Sequence, residues 1–135
     1  MFSLVNKKAV VTGGGSGIGK AIAVTFAAQG AIVHVLELTT EAAADTKSTI
    51  TAAGGKVSVH ACNVANKDEV NKVFASIGAI DILVNNAGII MRSPAAEHPD
   101  EYWDKVMSIN LDAQFILSKA IAKQMLERGK GKIIF

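Results

Sequence analysis

The sequence has one cysteine and two prolines in 135 residues, and none of its hydrophobic runs is long. A single thiol, Cys62, can form neither an internal disulfide nor a cysteine-rich zinc site, which favours a cytoplasmic location. No apolar run approaches the roughly 18 residues of a membrane-spanning helix, and the first residues do not resemble a secretory signal. We therefore expect a protein that does not act in a membrane.

The chain also lacks a large excess of charge of either sign. The chain has 14 lysines and arginines against 12 aspartates and glutamates, a net charge of +2, and the two signs are interleaved. Nucleic-acid binding proteins usually show a basic stripe, so we do not expect a nucleic-acid partner. The histidines His34, His60 and His98 have no carboxylate or cysteine at ligand spacing, and no metal site is predicted.

Hydrophobic residues and glycine are abundant. Half of the residues are hydrophobic and twelve are glycine, a composition typical of one folded domain with tight turns. Short apolar runs alternate with longer amphipathic segments, which predicts repeated strand–helix units and a parallel sheet. The predicted strands are 8–12, 31–37, 56–61, 80–84 and 132–135. The predicted helices are 16–29, 41–53 capped by Thr40, 67–76 capped by Asn66, and a long one from 99 or 100 to 128.

The strongest local motif is the segment from Thr12 to Gly19, TGGGSGIG, between the first strand and the first helix. Backbone without Cβ atoms can approach a diphosphate closely, and the N–H groups at a helix N-terminus favour an anion. The spacing G-x-G-x-x-G does not occur in this segment, whereas G-x-x-x-G-x-G fits Gly13, Gly17 and Gly19. A plain glycine-rich turn is the alternative interpretation.

A nucleoside-triphosphate loop is a second alternative. The segment from Gly14 to Lys20 matches G-x-x-x-x-G-K, and Lys20 could reach a phosphate. That chemistry needs a serine or threonine at the next position to bind magnesium, and the next residue is Ala21. We therefore expect Lys20 to be a solvated helix residue.

Glu37 supports the interpretation of the glycine segment as a dinucleotide-binding site. It ends the second predicted strand, 18 residues after Gly19, where a carboxylate can accept hydrogen bonds from both hydroxyls of the adenosine ribose. The same carboxylate would repel a 2′-phosphate, and no lysine or arginine follows in Leu38, Thr39 or Thr40. This pattern favours NAD over NADP, although a surface glutamate at a strand end is the alternative.

Three motifs in order make the chain resemble the short-chain dehydrogenase/reductase family. They are Thr12-Gly13-x-x-x-Gly17-x-Gly19, Asn85-Asn86-Ala87-Gly88, and Asn110 within Met107-Ser108-Ile109-Asn110. The resemblance implies an α/β Rossmann-type fold, a doubly wound parallel sheet of strand order 3-2-1-4-5. It also implies a nicotinamide cofactor and hydride transfer to or from a secondary alcohol or ketone. Residues 85–127 resemble the gluconate and 2-deoxygluconate dehydrogenase branch, which implies a sugar acid as substrate.

The resemblance also assigns roles to residues. The expected cofactor contacts are Gly13, Ser16, Gly17, Ile18, Gly19, Glu37, Asn63, Val64, Asn86, Ala87 and Gly88. Asn63 replaces an aspartate of the family, and its amide oxygen should accept more weakly from the adenine amino group. Asn85 is expected to tie strands together. Asn110 is the expected catalytic residue, because its counterpart in the family holds a water of the proton relay through a carbonyl.

The sequence departs from the family in its catalytic groups. The family's serine and its Tyr-x-x-x-Lys pair do not occur here, since Tyr102, the one tyrosine, is followed four residues later by Val106. We therefore expect residues 1–135 to form one dinucleotide-binding half-domain, truncated relative to the family and inactive in the family's reaction. The alternative is an engineered or truncated half-Rossmann folding unit, or a dinucleotide-binding module without chemistry, that self-associates. The apolar residues expected on exposed sides of the last helix are Trp103, Phe115, Leu117, Ile121 and Leu126.

Overall fold

The computed structural model describes residues 2–135, which contain one five-stranded parallel sheet of order β3-β2-β1-β4-β5. The predicted fold class and strand order are confirmed. The strands are β1 (Lys8–Thr12), β2 (Ile32–Glu37), β3 (Lys56–Ala61), β4 (Ile82–Val84) and β5 (Lys132–Ile134). The helices are α1 (Gly17–Ala28), α2 (Ala44–Ala52), α3 (Lys67–Ile77), α4 (Asp100–Met107) and α5 (Ala113–Arg128). Short 3₁₀ turns cover Glu41–Ala43 and Ala95–Glu97.

The core lies on both faces of the sheet. Val10 of β1 pairs with His34 of β2 on one side and with Leu83 of β4 on the other, so β1 is central. One face packs against α3 and α5 through a cluster that includes Val10, Leu83 and Phe74. Alanines of α1 and the isoleucine of α2 belong to the cluster on the other face. The central strands are apolar at nearly every position because helices cover both faces of this parallel sheet.

The helix ends agree only in part with the sequence predictions. The side chain of Asn66 caps α3 as predicted, because its Oδ1 accepts hydrogen bonds from the N–H groups of Asp68 and Glu69. The predicted cap Thr40 is wrong, since its hydroxyl bonds instead to the carboxylate of Glu41 and a 3₁₀ turn precedes α2. The long last helix is also less regular than expected. A π turn over Ser108–Asp112 joins α4 to α5.

The predicted exposure of the last helix needs correction. Leu117 and Ile121 are 1% and 0% exposed, because they lie in the cluster between α5, α3 and the sheet. Trp103, Phe115 and Leu126 are exposed as expected, at 61%, 68% and 81%. The buried residues of α5 follow one another at a spacing of four and therefore share one face, whereas Phe115 and Leu126 lie off that face. Within residues 2–135, no helix combines the length and hydrophobicity needed to span a membrane.

Candidate cofactor site

The glycine loop lies at the carboxyl edge of the sheet, where it joins β1 to α1 and is tied to the chain that follows β4. The Thr12 hydroxyl is the centre of this connection. It donates to the carbonyl of Val84 at 3.3 Å and accepts the N–H groups of Asn86 and Ala87, each at 3.0 Å. The Asn86 amide in turn donates to the carbonyls of Thr12 and Gly13 at 3.0 and 3.1 Å. The two segments are therefore fixed relative to one another.

Residues from β2 and α2 hold the other side of the loop. The fully buried Thr46 places its hydroxyl 3.0 and 3.1 Å from the carbonyl oxygens of Gly14 and Gly15. The N–H of Gly15 donates to Oε1 of Glu37 at 2.9 Å. A buried hydroxyl without such partners would lower stability by about 1–3 kcal/mol. These contacts hold the loop in one shape before any ligand binds.

The glycines have different packing on the two sides of the loop. A Cβ on Gly19 would lie 2.2 Å from the Gly13 carbonyl oxygen, so Gly19 is needed for close backbone packing. Gly17 has a φ of +52°, and a Cβ there would meet no atom within 4 Å. The loop is thus closely packed beneath Gly19 and open at Gly17.

The open side of the loop is suited to a diphosphate. Ser16 precedes α1 in an extended conformation, and its side chain makes no capping hydrogen bond. The N–H groups of the first helical turn have no carbonyl partners within the helix, and the helix dipole gives this end a partial positive charge. An anion fits here because glycine leaves space for it and the N–H groups can bind it.

A cleft of about 580 Å³ opens beside the loop at the carboxyl edge of the sheet. It lies where the strand order reverses between β1 and β4, the place where doubly wound sheets bind their ligands. The structure brings every expected cofactor contact to the lining of this cleft. Those residues are Gly13, Ser16, Gly17, Ile18, Gly19, Glu37, Asn63, Val64, Asn86, Ala87 and Gly88.

Six further residues line the same cleft and were not predicted from the sequence: Leu36, Leu38, Cys62, Ile89, Lys105 and Ile109. Lys105 and Ile109 are four residues apart and share one helix face, but no sequence motif marks either of them. Burial and the nearby Glu69 carboxylate raise the pKa of the Cys62 thiol to about 11. Cys62 is therefore an uncharged, apolar part of the wall.

Glu37 and Asn63 lie in the wall of the cleft, at the ends of neighbouring strands. In the described part of the chain, only one oxygen of the Glu37 carboxylate has a hydrogen-bond partner, the Gly15 N–H. Asn63 Oδ1 accepts the N–H of Ala65 at 3.0 Å, and the Asn63 N–H donates to Glu69 at 2.7 Å. An amide oxygen has two lone pairs, so Asn63 can accept one further hydrogen bond.

Asn110 lies in the π turn and not in the cleft lining. Its side chain holds the main chain of Ile89: Oδ1 accepts the Ile89 N–H at 2.8 Å, and Nδ2 donates to the Ile89 carbonyl at 3.0 Å. Because Ile89 lines the cleft, Asn110 positions that part of the wall. Turns of π geometry are often found at functional sites.

Asn85 connects β4 to its neighbours, as expected. Its N–H donates to the carbonyl of Ile134 at 2.8 Å, and its side-chain amide donates to the Ser118 hydroxyl of α5 at 3.3 Å. Within residues 2–135, the buried Oδ1 of Asn85 has no hydrogen-bond partner.

The contacts of Lys20 do not support a nucleoside-triphosphate site. It forms a salt bridge with Asp45 of α2, and it is absent from the cleft lining. Lys20 is a solvent-accessible residue of α1, as expected, and its partner Asp45 is supplied by α2, which packs beside α1. Among residues 2–135, no three histidine, cysteine, aspartate or glutamate side chains are close enough to hold a metal ion.

A second groove of similar volume, about 580 Å³, lies between α3 and α5. Asn71, Gln124 and Arg128 are among its lining residues. It contains none of the loop glycines and is more open to solvent, so it offers no cradle for a diphosphate.

Comparison with known proteins agrees with this geometry. The family model for the short chain dehydrogenase matches residues 7–135. The chain belongs to the short-chain dehydrogenase family. The resemblance seen in the three sequence motifs is therefore confirmed.

Relatives within the short-chain dehydrogenase family include enzymes named for sugar acids. The chain is 45% identical over 139 residues to the 2-dehydro-3-deoxy-D-gluconate 5-dehydrogenase of Pseudoalteromonas atlantica, covering 99% of this chain and 55% of that protein. It is 39% identical to the gluconate 5-dehydrogenase of Gluconobacter oxydans, covering 99% and 54%. These relatives support the predicted gluconate branch.

A solved structure shows the same short-chain dehydrogenase fold. A metagenomic short-chain oxidoreductase in complex with NADP superimposes with a TM-score of 0.90 at 35% identity, covering 98% of this chain and 61% of that one. The chain spans about half the length of the curated relatives it matches.

Proposed function

We propose that this short-chain dehydrogenase binds NAD and serves hydride transfer between NAD(H) and a secondary alcohol or ketone. The observation that carries the proposal is the cleft beside the glycine loop. Its lining includes an open helix N-terminus at Gly17 and a carboxylate, Glu37, at the end of the neighbouring strand. These two features suit two of the polar parts of an adenine dinucleotide, its diphosphate and its adenosine ribose.

In this proposal the glycine loop and the residues after β4 hold and orient the cofactor. The loop N–H groups and Ser16 bind the diphosphate, Glu37 accepts from the ribose hydroxyls, and Asn63 and Val64 lie against the adenine. Asn86, Ala87 and Gly88 form the wall beside the rest of the cofactor. When bound, NAD supplies the hydride chemistry through its nicotinamide ring.

Asn110 has a positioning role in the same proposal. Its side-chain amide accepts one hydrogen bond from the main chain of Ile89 and donates one to it. We propose that a contact with a water of the proton relay is made by the main-chain carbonyl of Asn110. A second group must exchange the alcohol proton, and residues 1–135 contain no Tyr-x-x-x-Lys pair. We thus assign cofactor binding, and not proton transfer, to the side chains of these residues.

A sugar acid is the proposed substrate class. The support is the similarity to relatives named for gluconate and 2-dehydro-3-deoxy-D-gluconate. Oxidation of a secondary hydroxyl to a ketone is the reaction that a nicotinamide cofactor performs on such compounds.

We also propose that the chain self-associates and works in the cytoplasm. Trp103, Leu111 and Phe115 are large, exposed apolar residues at spacings of eight and four along the α4–α5 segment. Exposed apolar patches of this kind often mark protein interfaces. Cys62 is a free, buried thiol, which is compatible with a reducing compartment.

The preference for NAD is proposed from Glu37, and it predicts the behaviour of two variants. Glu37→Ala should weaken NAD binding about tenfold, because charge-assisted hydrogen bonds to the ribose are lost. Glu37→Gln keeps an acceptor for the Gly15 N–H but removes the charge, so it should bind NADP relatively better than the original chain does. Calorimetric titration of each variant with NAD and NADP measures both effects.

Glu127→Ala is the control, because Glu127 lies on α5 and does not line the cleft. Equal NAD affinity for the original chain and the Glu37→Ala variant would remove Glu37 from the site. An unchanged ratio of NAD to NADP affinity in Glu37→Gln would reject the proposed cofactor preference.

A further inference from the structure

The cleft lining carries one negative and one positive side chain. Glu37 is the carboxylate, and Lys105 is the only lysine or arginine that lines the cleft among residues 2–135. The diphosphate of a dinucleotide carries two negative charges, while the glycine loop offers N–H dipoles without a full positive charge. Lys105 is thus the available cation for a charged ligand in this cleft.

The position of Lys105 follows from the helix on which it lies. Lys105 and Ile109 are one helical turn apart, and both line the cleft, so this face of the α4 segment forms part of its wall. Asn110 holds the adjoining wall residue Ile89 by two hydrogen bonds. Lys105 thus lies in a wall whose adjoining part is held by Asn110.

The charge of Lys105 is not neutralised by the protein. Within residues 2–135, Lys105 forms no salt bridge, and its side chain is exposed. Lys20, the lysine at the end of the glycine motif, is instead paired with Asp45 and does not line the cleft. Of these two lysines, only Lys105 can offer an uncompensated ammonium group to a ligand.

We propose that Lys105 is a diphosphate-binding residue, which compensates the charge of the dinucleotide from the α4 wall while the glycine loop binds it through N–H groups. This inference rests on the proposed function, because it presupposes a dinucleotide in the cleft. It adds a charged contact to a site whose other diphosphate contacts are uncharged. A flexible lysine side chain can make this contact without a fixed geometry in the free protein.

The test compares three ligands that share the adenosine group: NAD, ADP-ribose and adenosine. Lys105→Gln should weaken NAD and ADP-ribose binding about three- to tenfold at low salt, as expected for one charge-assisted contact. Adenosine binding should not change, because adenosine has no phosphate. The difference for NAD should shrink in about 0.5 M salt, since exposed charges are then screened. Lys105→Arg should retain most of the affinity.

Lys72→Gln is the matched control, because Lys72 is an exposed lysine on α3 that does not line the cleft. Equal NAD affinity for Lys105→Gln and Lys72→Gln would overturn the inference, as would an equal loss of adenosine binding in Lys105→Gln. Absence of NAD binding by the original chain is a different outcome. It would reject the proposed function itself, and with it the role of Lys105.

Discussion

Replacing Gly17 with alanine separates the ligand-binding role of the glycine loop from its folding role. Gly17 has a φ of +52°, and a Cβ at this position would meet no protein atom within 4 Å. The substitution should therefore cost only the left-handed backbone strain, about 1 kcal/mol. In a chain of this size that loss lowers the melting temperature by roughly 3–5 °C.

The same substitution should have a larger effect on binding. The new methyl group would occupy the open side of the loop, where the diphosphate approaches the helix N-terminus. Loss of one or two N–H contacts to an anion corresponds to about 1.5–3 kcal/mol, or roughly 10- to 150-fold in NAD affinity. Thermal unfolding measures the first effect, and calorimetric titration with NAD measures the second.

Gly129→Ala is the matched control. Gly129 ends α5 with φ +65° and ψ 18°, and a Cβ there would also meet nothing within 4 Å. It should lose similar stability and keep its NAD affinity. If Gly17→Ala and Gly129→Ala bind NAD equally well, the open side of the loop at Gly17 does not hold the diphosphate.

Two further predictions concern the histidine pair and the exposed face. His34 Nδ1 lies 3.0 Å from His60 Nε2, and burial, then His60 and Lys8, lower the pKa of His34 to about 4. Because the unfolded chain binds a proton near pH 6.5 and the folded chain does not, stability should fall by about 1–2 kcal/mol between pH 6.5 and 4, after allowing for partial exposure. Urea unfolding should show this decrease in the free energy of unfolding, and His34→Gln should make the decrease smaller. The same pH dependence in His34→Gln and in the original chain would contradict the prediction. Sedimentation should show oligomers that Phe115→Asp weakens, whereas a monomer at all concentrations would exclude self-association.

Strand positions could be predicted closely because they depend on local sequence. The limits of β1 and β3 are those expected, since continuous apolar or alternating residues are bounded there by glycine, lysine or a loop. The cap of α3 was also readable, because Asn66 directly precedes the helix and bonds within it. A local signal of this kind is not sufficient by itself, because Thr40 is also a favoured cap residue and its hydroxyl bonds to Glu41 instead.

Other features depend on tertiary packing and could not be read from the sequence. The π turn at Ser108–Asp112 accompanies the contact between Asn110 and Ile89, which are 21 residues apart. The exposure of Leu117 and Ile121 was predicted wrongly because several sides of the helix are apolar. Only the packing of α5 against α3 shows which side is buried.

The candidate site also combines residues that the sequence identifies with residues that only tertiary packing brings there. Glycines and the motif after β4 could be assigned because their order and spacing form a recognisable pattern. Thr46 could not, because it is an ordinary helix residue in sequence and reaches the glycine loop from 31 and 32 residues away. Lys105 lacked a motif, and only its place in the cleft wall gives it meaning.

We propose the cleft beside the glycine loop as the dinucleotide site. Titration of the ¹⁵N-labelled chain with NAD, followed by ¹H–¹⁵N spectra, tests it at the level of single residues. We expect saturable shifts concentrated in Gly17, Ile18, Gly19 and the Asn86–Gly88 segment. Absence of shifts, or shifts confined to the groove lined by Asn71 and Gln124 between α3 and α5, would show that the cleft is not the dinucleotide site.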